Sequence, residues 1–293
     1  MRRNSATRVT VLGFCIFFVL TSCVFSQFDD RGLYGNRNVS IKAESYFTKP
    51  IHIIDTPTAS ILRGGDFRTG VRIYEHGGVL ASLSAGVSDR VMFGVSFGGL
   101  HIIGAEQKIQ WNSVPGVNFV YRIFEESLRM PALVVGFDSQ GYGPEYNDYL
   151  EDPFAAKDSS KWDPDEPYGK RYHFLSRGFF VTVSKTYSTF VNAGLHAGIS
   201  YTLEKAYETK TQPTIYMASD VHITSDLAIL IEYDFGIHEN SRYPGGILNL
   251  GGRWSFGNNV FFDFDIQNVL GRNNETTDVR RIIKLTYYGS ILQ

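Results

Sequence analysis

Along most of the chain apolar and polar residues alternate with period two, the spacing that turns successive side chains to opposite faces of a strand. In one such stretch Leu227, Ile229, Ile231, Tyr233 and Phe235 share one face, while Ala228, Glu232, Asp234 and Gly236 share the other. The pattern recurs. Val260, Phe262, Phe264 and Ile266 alternate with Phe261, Asp263, Asp265 and Gln267; Val191, Ala193, Leu195, Ala197, Ile199 and Tyr201 alternate with Asn192, Gly194, His196, Gly198 and Ser200. Val91, Phe93, Val95 and Phe97 likewise alternate with Met92, Gly94, Ser96 and Gly98. Each stretch is about ten residues, enough for a tilted strand to cross a bilayer. One such stretch would fit a soluble sandwich, but the repeated pairing of aromatics on one face with charges or glycines on the other predicts an all-β fold, a transmembrane antiparallel up-and-down β-barrel.

Twelve strands are predicted, near 66–75, 78–87, 90–99, 116–125, 131–139, 177–185, 189–203, 213–222, 226–237, 246–256, 259–268 and 280–290. Their connections sort by parity. Brief turns at 88–89, 126–130, 186–188, 223–225 and 257–258 alternate with longer segments at 100–115, 140–176, 204–212, 238–245 and 269–279; the tight turn at 75–77 is the exception. Short turns belong on the periplasmic side and long loops outside. The longest loop, 140–176, carries Tyr142, Tyr146, Tyr149, Trp162, Tyr168 and Tyr172 among acids and prolines, and is the candidate binding loop. Its Asp158, Asp163, Asp165 and Glu166 offer oxygen ligands for calcium, but their spacing matches no EF-hand, so a solvated acidic loop is the preferred reading.

The amino terminus reads as a cleaved signal peptide over 1–26, with Arg2, Arg3 and Arg8 ahead of an apolar run from Val9 to Leu20. Two processing readings compete: cleavage after Ser26, or lipidation at Cys23 within the lipobox-like Leu20-Thr21-Ser22-Cys23. Both cysteines, Cys15 and Cys23, fall in this leader, so no disulfide framework is expected. Residues 27–59 are the least regular and are expected to form a periplasmic or lumen-entering segment, with an additional strand an option at 38–47; the barrel itself is expected over 60–293.

Charge adds little by its total. The chain has 28 basic and 30 acidic residues, and 25 against 30 without the leader arginines, which argues against nucleic acid as a partner. Position matters more, because the inward face collects Arg68, Arg72, Arg122, Arg253 and Lys284 against Asp138, Glu232, Asp234, Asp263 and Asp265. These candidate lumen charges either pair across neighbouring strands to fill a narrow interior or line an aqueous constriction that selects polar solutes. Gly94, Gly98, Gly194, Gly198, Gly251 and Gly252 either admit the amino-terminal segment or allow the curvature of closure, the latter preferred. Tyr121, Tyr187, Tyr201, Trp254, Phe256, Tyr287 and Tyr288 lie near strand ends and read as interfacial girdles.

No G-x-S-x-G, H-E-x-x-H, P-loop or G-x-G-x-x-G motif occurs, and His173 with Ser176 or His196 with Ser200 lack a third member. No enzyme, catalytic residue, cofactor or metal site is therefore expected. The segment Ile54-Asp55-Thr56-Pro57-Thr58-Ala59, with Leu62 and Gly64-Gly65-Asp66-Phe67, resembles the opening of YjbH-like proteins, assigned as outer-membrane lipoproteins linked to exopolysaccharide production. Gly78-Val79-Leu80, Ser88-Asp89-Arg90, Pro115-Gly116-Val117 and Phe137-Asp138-Ser139-Gln140-Gly141-Tyr142-Gly143 are similar to a wider group of bacterial envelope barrels. The resemblance implies the bacterial outer membrane and supplies no known substrate. The expected partners are lipid, the barrel-assembly machinery and a polysaccharide or small polar solute; the lumen charges suggest a pore, and the alternative is a non-conducting scaffold that presents the long loop to a glycan or protein. One departure is the ending Gly289-Ser290-Ile291-Leu292-Gln293, where such barrels commonly close on an aromatic; Tyr287 and Tyr288 stand just upstream.

Overall fold

The computed structural model describes residues 49–104, 108–146, 171–188, 192–204, 213–237, 245–257, 259–271 and 279–291. The leader with Cys23, the optional strand at 38–47 and the loop acids 158–166 lie outside them. Among the described residues there are fifteen strands: β1 (Asp66–Tyr74), β2 (Gly78–Ser88), β3 (Val91–Leu100), β4 (Gln110–Trp111), β5 (Gly116–Phe124), β6 (Ala132–Asp138), β7 (Tyr142–Tyr146), β8 (Arg171–Phe174), β9 (Gly178–Ser188), β10 (Asn192–Tyr201), β11 (Thr214–His222), β12 (Leu227–Asp234), β13 (Ile247–Phe256), β14 (Val260–Gln267) and β15 (Arg280–Ser290). Twelve of them form a closed antiparallel ring in chain order, β1, β2, β3, β5, β6 and β9 to β15, with β15 returning to β1. The other three fall in expected loops: β4 pairs with the end of β3, and β7 with β8 in a separate hairpin inside the long connection.

Closure removes every sheet edge, and lipid solvates the outward residues, whose backbone is already paired. Burial alternates as the pattern requires. In β12, Ala228, Leu230, Glu232 and Asp234 are buried, whereas Leu227, Ile229 and Ile231 point outward. A ring with this apolar exterior is an outer-membrane β-barrel, and the outer membrane is its location. Tyr121, Tyr201, Trp254, Phe256 and Tyr287 are exposed near strand ends, as a girdle requires. Tyr288 is a correction: its parity turns it inward, where it packs edge-on against Phe261 at 5.4 Å and joins the lumen's apolar cluster.

The tight first turn has a local cause. His76 and Gly77 have φ of 58° and 62°, and Gly78 N–H donates to Glu75 O at 3.1 Å, which is a two-residue type I′ turn. The following long connection then folds over it, with His101 and Ile102 amides donating to His76 and Gly77 carbonyls.

The first barrel strand begins at Asp66, where the alternation predicts it. Residues 49–63 form an irregular hairpin inside the lumen, bridged between His52 and Pro57. Its arms pack on the barrel wall: Ile51, Ala59 and Leu62 join Met92, Val120, Ala132, Val134 and Phe180, while Ile53 and Ile54 meet Ala218 and Leu230. Gly86 is where the wall yields to it, since a Cβ there would stand 1.9 Å from Arg63 O. The inward glycines named from the sequence mostly make room for lumenal side chains: a Cβ at Gly194 would meet Asp220, one at Gly198 Tyr216, and one at Gly251 Asp265.

Because Ile231 faces lipid midway along β12, Ile231→Lys should cost about 2–4 kcal/mol of folding into bilayers, read by urea titration of tryptophan fluorescence. Val87→Lys, next to the last residue of β2, should cost less than half of that.

Candidate functional site

The site is the tip of this hairpin and the lumen charges around it. Ile53 N–H donates to Thr56 O at 3.1 Å and Thr58 N–H to Ile51 O at 2.9 Å, which closes the turn. Closing it aligns three successive amides. Ile54, Asp55 and Thr56 N–H all donate to Oε2 of Glu232, at 3.1, 2.8 and 2.8 Å, and the Thr56 hydroxyl joins them at 2.9 Å. Consecutive N–H groups in a turn form an anion-binding nest, and here the anion is a side chain of the barrel wall. The other oxygen, Oε1, accepts from Asn249 Nδ2 at 2.9 Å. Asn249 is held in that orientation because its Oδ1 accepts the Asn268 amide.

The carbonyls on the other side of the turn meet cations. Lys284 Nζ donates to Ile53 O and Ile54 O, both at 3.1 Å, Arg72 Nη2 to Ile54 O at 3.0 Å, and Arg253 Nη2 to His52 O at 3.3 Å. Strand register places these cations together: Arg253 lies opposite Asp263, Asp263 opposite Lys284, and Lys284 opposite Arg72. The row is tied by ion pairs, Arg253 to Asp263 at 2.7 Å and Lys284 to Asp265 at 2.7 Å. Arg72 also reaches Asp55 of the hairpin at 2.8 Å.

A second hairpin meets the first from the long-loop end. Tyr142 of β7 donates its hydroxyl to Asp55 Oδ2 at 2.8 Å, and Gln267 donates to the same oxygen. Tyr142 stacks on Phe174 at 4.4 Å and lies under the Arg72 guanidinium at 4.7 Å. Arg280 covers Phe174 and binds His173 Nε2 at 2.7 Å, so His173 has a partner other than Ser176.

The returning arm has its own tether. Ala59 N–H donates to Ser184 Oγ at 2.7 Å; Ser184 contacts His196 Nδ1 at 2.7 Å, and His196 Nε2 contacts Asp220 at 2.8 Å. The order serine, histidine, aspartate is that of an activated nucleophile. Here the serine oxygen lies under the hairpin and accepts its amide, so the relay serves as an anchor. The sequence reading paired His196 with Ser200; the partner is Ser184, directly across the β9–β10 ladder. At the short-turn end Lys49 pairs with Glu126 at 2.6 Å, and Glu126 accepts from Thr186 N–H at 2.7 Å.

Of the ten candidate lumen charges, Arg72, Glu232, Arg253 and Lys284 bind the hairpin directly. Asp263 and Asp265 neutralise those cations. Asp234 instead pairs with Arg177, which opens the stretch predicted near 177–185 on the outward parity of Phe179 and Val181, and also accepts from Thr214 at 2.9 Å. Arg122 turns to the short-turn rim, where it binds Asp89 O and lies 3.8 Å from Glu125. Arg68 and Asp138 face a remaining cavity of about 180 Å³.

No protein-family model and no curated protein matches the sequence. Among solved structures, a KdgM porin is 8% identical with a TM-score of 0.43, covering 76% of this chain and 98% of that one. A NanC porin is 13% identical with a TM-score of 0.40, covering 78% and 99%. The Acinetobacter baumannii outer membrane protein Omp33 is 8% identical with a TM-score of 0.41, covering 77% and 96%. These are distant similarities between barrels, and the ring of strands described above stands without them.

Glu232→Ala leaves three buried amides without their acceptor, each worth about 1–3 kcal/mol. The expected result is at least a tenfold loss of hydrogen-exchange protection at Ile54, Asp55 and Thr56 in a barrel that still shows heat-modifiable gel mobility. The Glu126 tether is pH-dependent: burial raises the carboxyl's pKa, but Lys49 and the Thr186 amide and hydroxyl outweigh it and hold the pKa below its ordinary value. A depressed carboxyl stabilises above its unfolded pKa and loses that stabilisation as pH falls through the folded one. Thr186 amide protection should therefore drop on acidification below the ordinary carboxylate range, and Glu126→Gln should abolish that dependence.

Proposed function

We propose that this barrel is a gated pore of the outer membrane for polar solutes, saccharides included, and that the 49–63 hairpin holds it closed. The observation that carries the reading is how the tip is attached. Glu232, Arg72, Arg253 and Lys284 grip its backbone through charge-assisted hydrogen bonds. Buried ionic contacts of this kind add little net stability over apolar packing, because desolvation offsets much of the attraction. They do fix one geometry, and water entering the lumen replaces them readily. The wall around the hairpin tip carries Arg72, Glu232, Arg253, Asp263, Asp265 and Lys284, a polar lining of the kind a conduit for solutes requires, while the arms rest on apolar wall. The YjbH-like resemblance of Ile54-Asp55-Thr56-Pro57-Thr58-Ala59, which is the hairpin tip itself, supports exopolysaccharide export as the setting.

A scaffold reading has its own support, since the seated hairpin leaves a cavity of only about 180 Å³. Conductance of the refolded chain in planar bilayers separates the two. Wild type should be mostly silent with rare discrete steps, Glu232→Gln should open more often, and deletion of 49–63 should conduct steadily. Heat-modifiable barrels that stay silent in both variants would overturn the pore and leave the scaffold.

A further inference from the structure

The cavity beside the hairpin is bounded by one register row of the sheet. Arg68 on β1 lies opposite Ser84 on β2, Ser84 opposite Gly94 on β3, Gly94 opposite Asn118 on β5, and Asn118 opposite Asp138 on β6. All five line the cavity. Gly94 opens the middle of the row, since a Cβ there would stand 2.6 Å from Ser84 Oγ. The two ends carry opposite charges, and neither has an ion pair of its own among the described residues. Around them Arg72, Arg177, Arg253, Lys284 and Arg280 each face a carboxylate. Arg68 has no ion pair or hydrogen bond among the described residues, and its buried Nε lacks an acceptor. Asp138 is held only by neutral donors, Asn118 Nδ2 at 3.2 Å and Gln140 N–H at 2.9 Å. Asn118 Oδ1 is in turn buried without a donor.

These groups specify a ligand. Arg68 requires an anionic acceptor, Asn118 Oδ1 a hydroxyl-type donor, and Asp138 further donors at the far end. Inorganic phosphate would satisfy the first but would set a second anion toward Asp138. A neutral sugar would leave the guanidinium uncompensated. A space of about 180 Å³ exceeds the roughly 150 Å³ that admits a six-membered ring. We infer that this row is a binding subsite for one sugar-acid residue, its carboxylate on Arg68 and its ring hydroxyls on Asn118 and Asp138. The role of the subsite as a solute-selecting station rests on the pore reading; its chemistry does not.

Titration of the refolded full chain in detergent with glucuronate, glucose and inorganic phosphate, followed by calorimetry or saturation-transfer NMR, tests this without conductance. Glucuronate should bind more tightly than glucose or phosphate. Arg68→Gln should weaken glucuronate at least about tenfold, the scale of a hydrogen bond to a charged group, and leave glucose unchanged. Arg68→Lys should restore part of the affinity, Asp138→Asn should weaken both sugars, and Arg122→Gln at the rim should change nothing. Equal binding of glucuronate and phosphate, an unaffected Arg68→Gln barrel, or no glucuronate binding by a heat-modifiable barrel would each overturn the subsite. A conducting barrel that fails this titration remains a pore without this selectivity.

Discussion

The interior is organised around one carboxylate. Glu232 is fully buried, and a carboxylate in that position is tolerated only when donors replace its water. The wall supplies one, from Asn249, and the hairpin supplies four. Those amides converge only when the turn at 53–56 is closed, so the barrel's buried charge and the hairpin's conformation depend on each other. The turn's carbonyls point the opposite way and find Lys284, Arg72 and Arg253. The peptide dipoles of a single turn thus lie between an anion on β12 and cations on β15, β1 and β13.

This arrangement explains the division of labour along the hairpin. Its arms rest mainly on apolar contact, which is non-directional and sets depth, with single tethers at Ala59–Ser184 and Lys49–Glu126. Its tip is held by directional contacts, which set position. Two lumen rows line the cavity: in the row from Arg253 through Asp263 and Lys284 to Arg72 the cations also bind the hairpin backbone, whereas the row from Arg68 to Asp138 makes no hydrogen bond to it among the described residues.

Period-two alternation made the strands legible, because lipid on one face and polar filling on the other impose the same pattern on every strand. The hairpin was not legible as such. Ile53 and Ile54 are adjacent and both wholly buried, since a turn enclosed in a lumen has no solvent face and so no alternation. Parity picked out Arg72, Glu232, Asp234, Arg253, Asp263, Asp265 and Lys284, but not Asp220, Arg280 or Arg177, and not the partners, which depend on register. His196 meets Ser184 because β9 and β10 are offset as they are, and that offset is set by turns whose sequences specify it weakly. Arg177 opens the stretch predicted near 177–185, where strict alternation groups it with the outward Phe179 and Val181, yet it reaches Asp234. Tyr288 turns inward because it follows the outward Tyr287 in an unbroken alternation, so only one of the two can stand in the girdle.

The central claim is that 49–63 sits inside the barrel in one fixed position. A cysteine pair at Ala59→Cys and Ser184→Cys, where an amide and a hydroxyl oxygen are 2.7 Å apart, tests it most directly. The expected result is near-complete disulfide formation in the folded barrel in lipid, seen as a mobility shift reversed by reductant. Folded barrels whose two cysteines stay free under mild oxidation would contradict it.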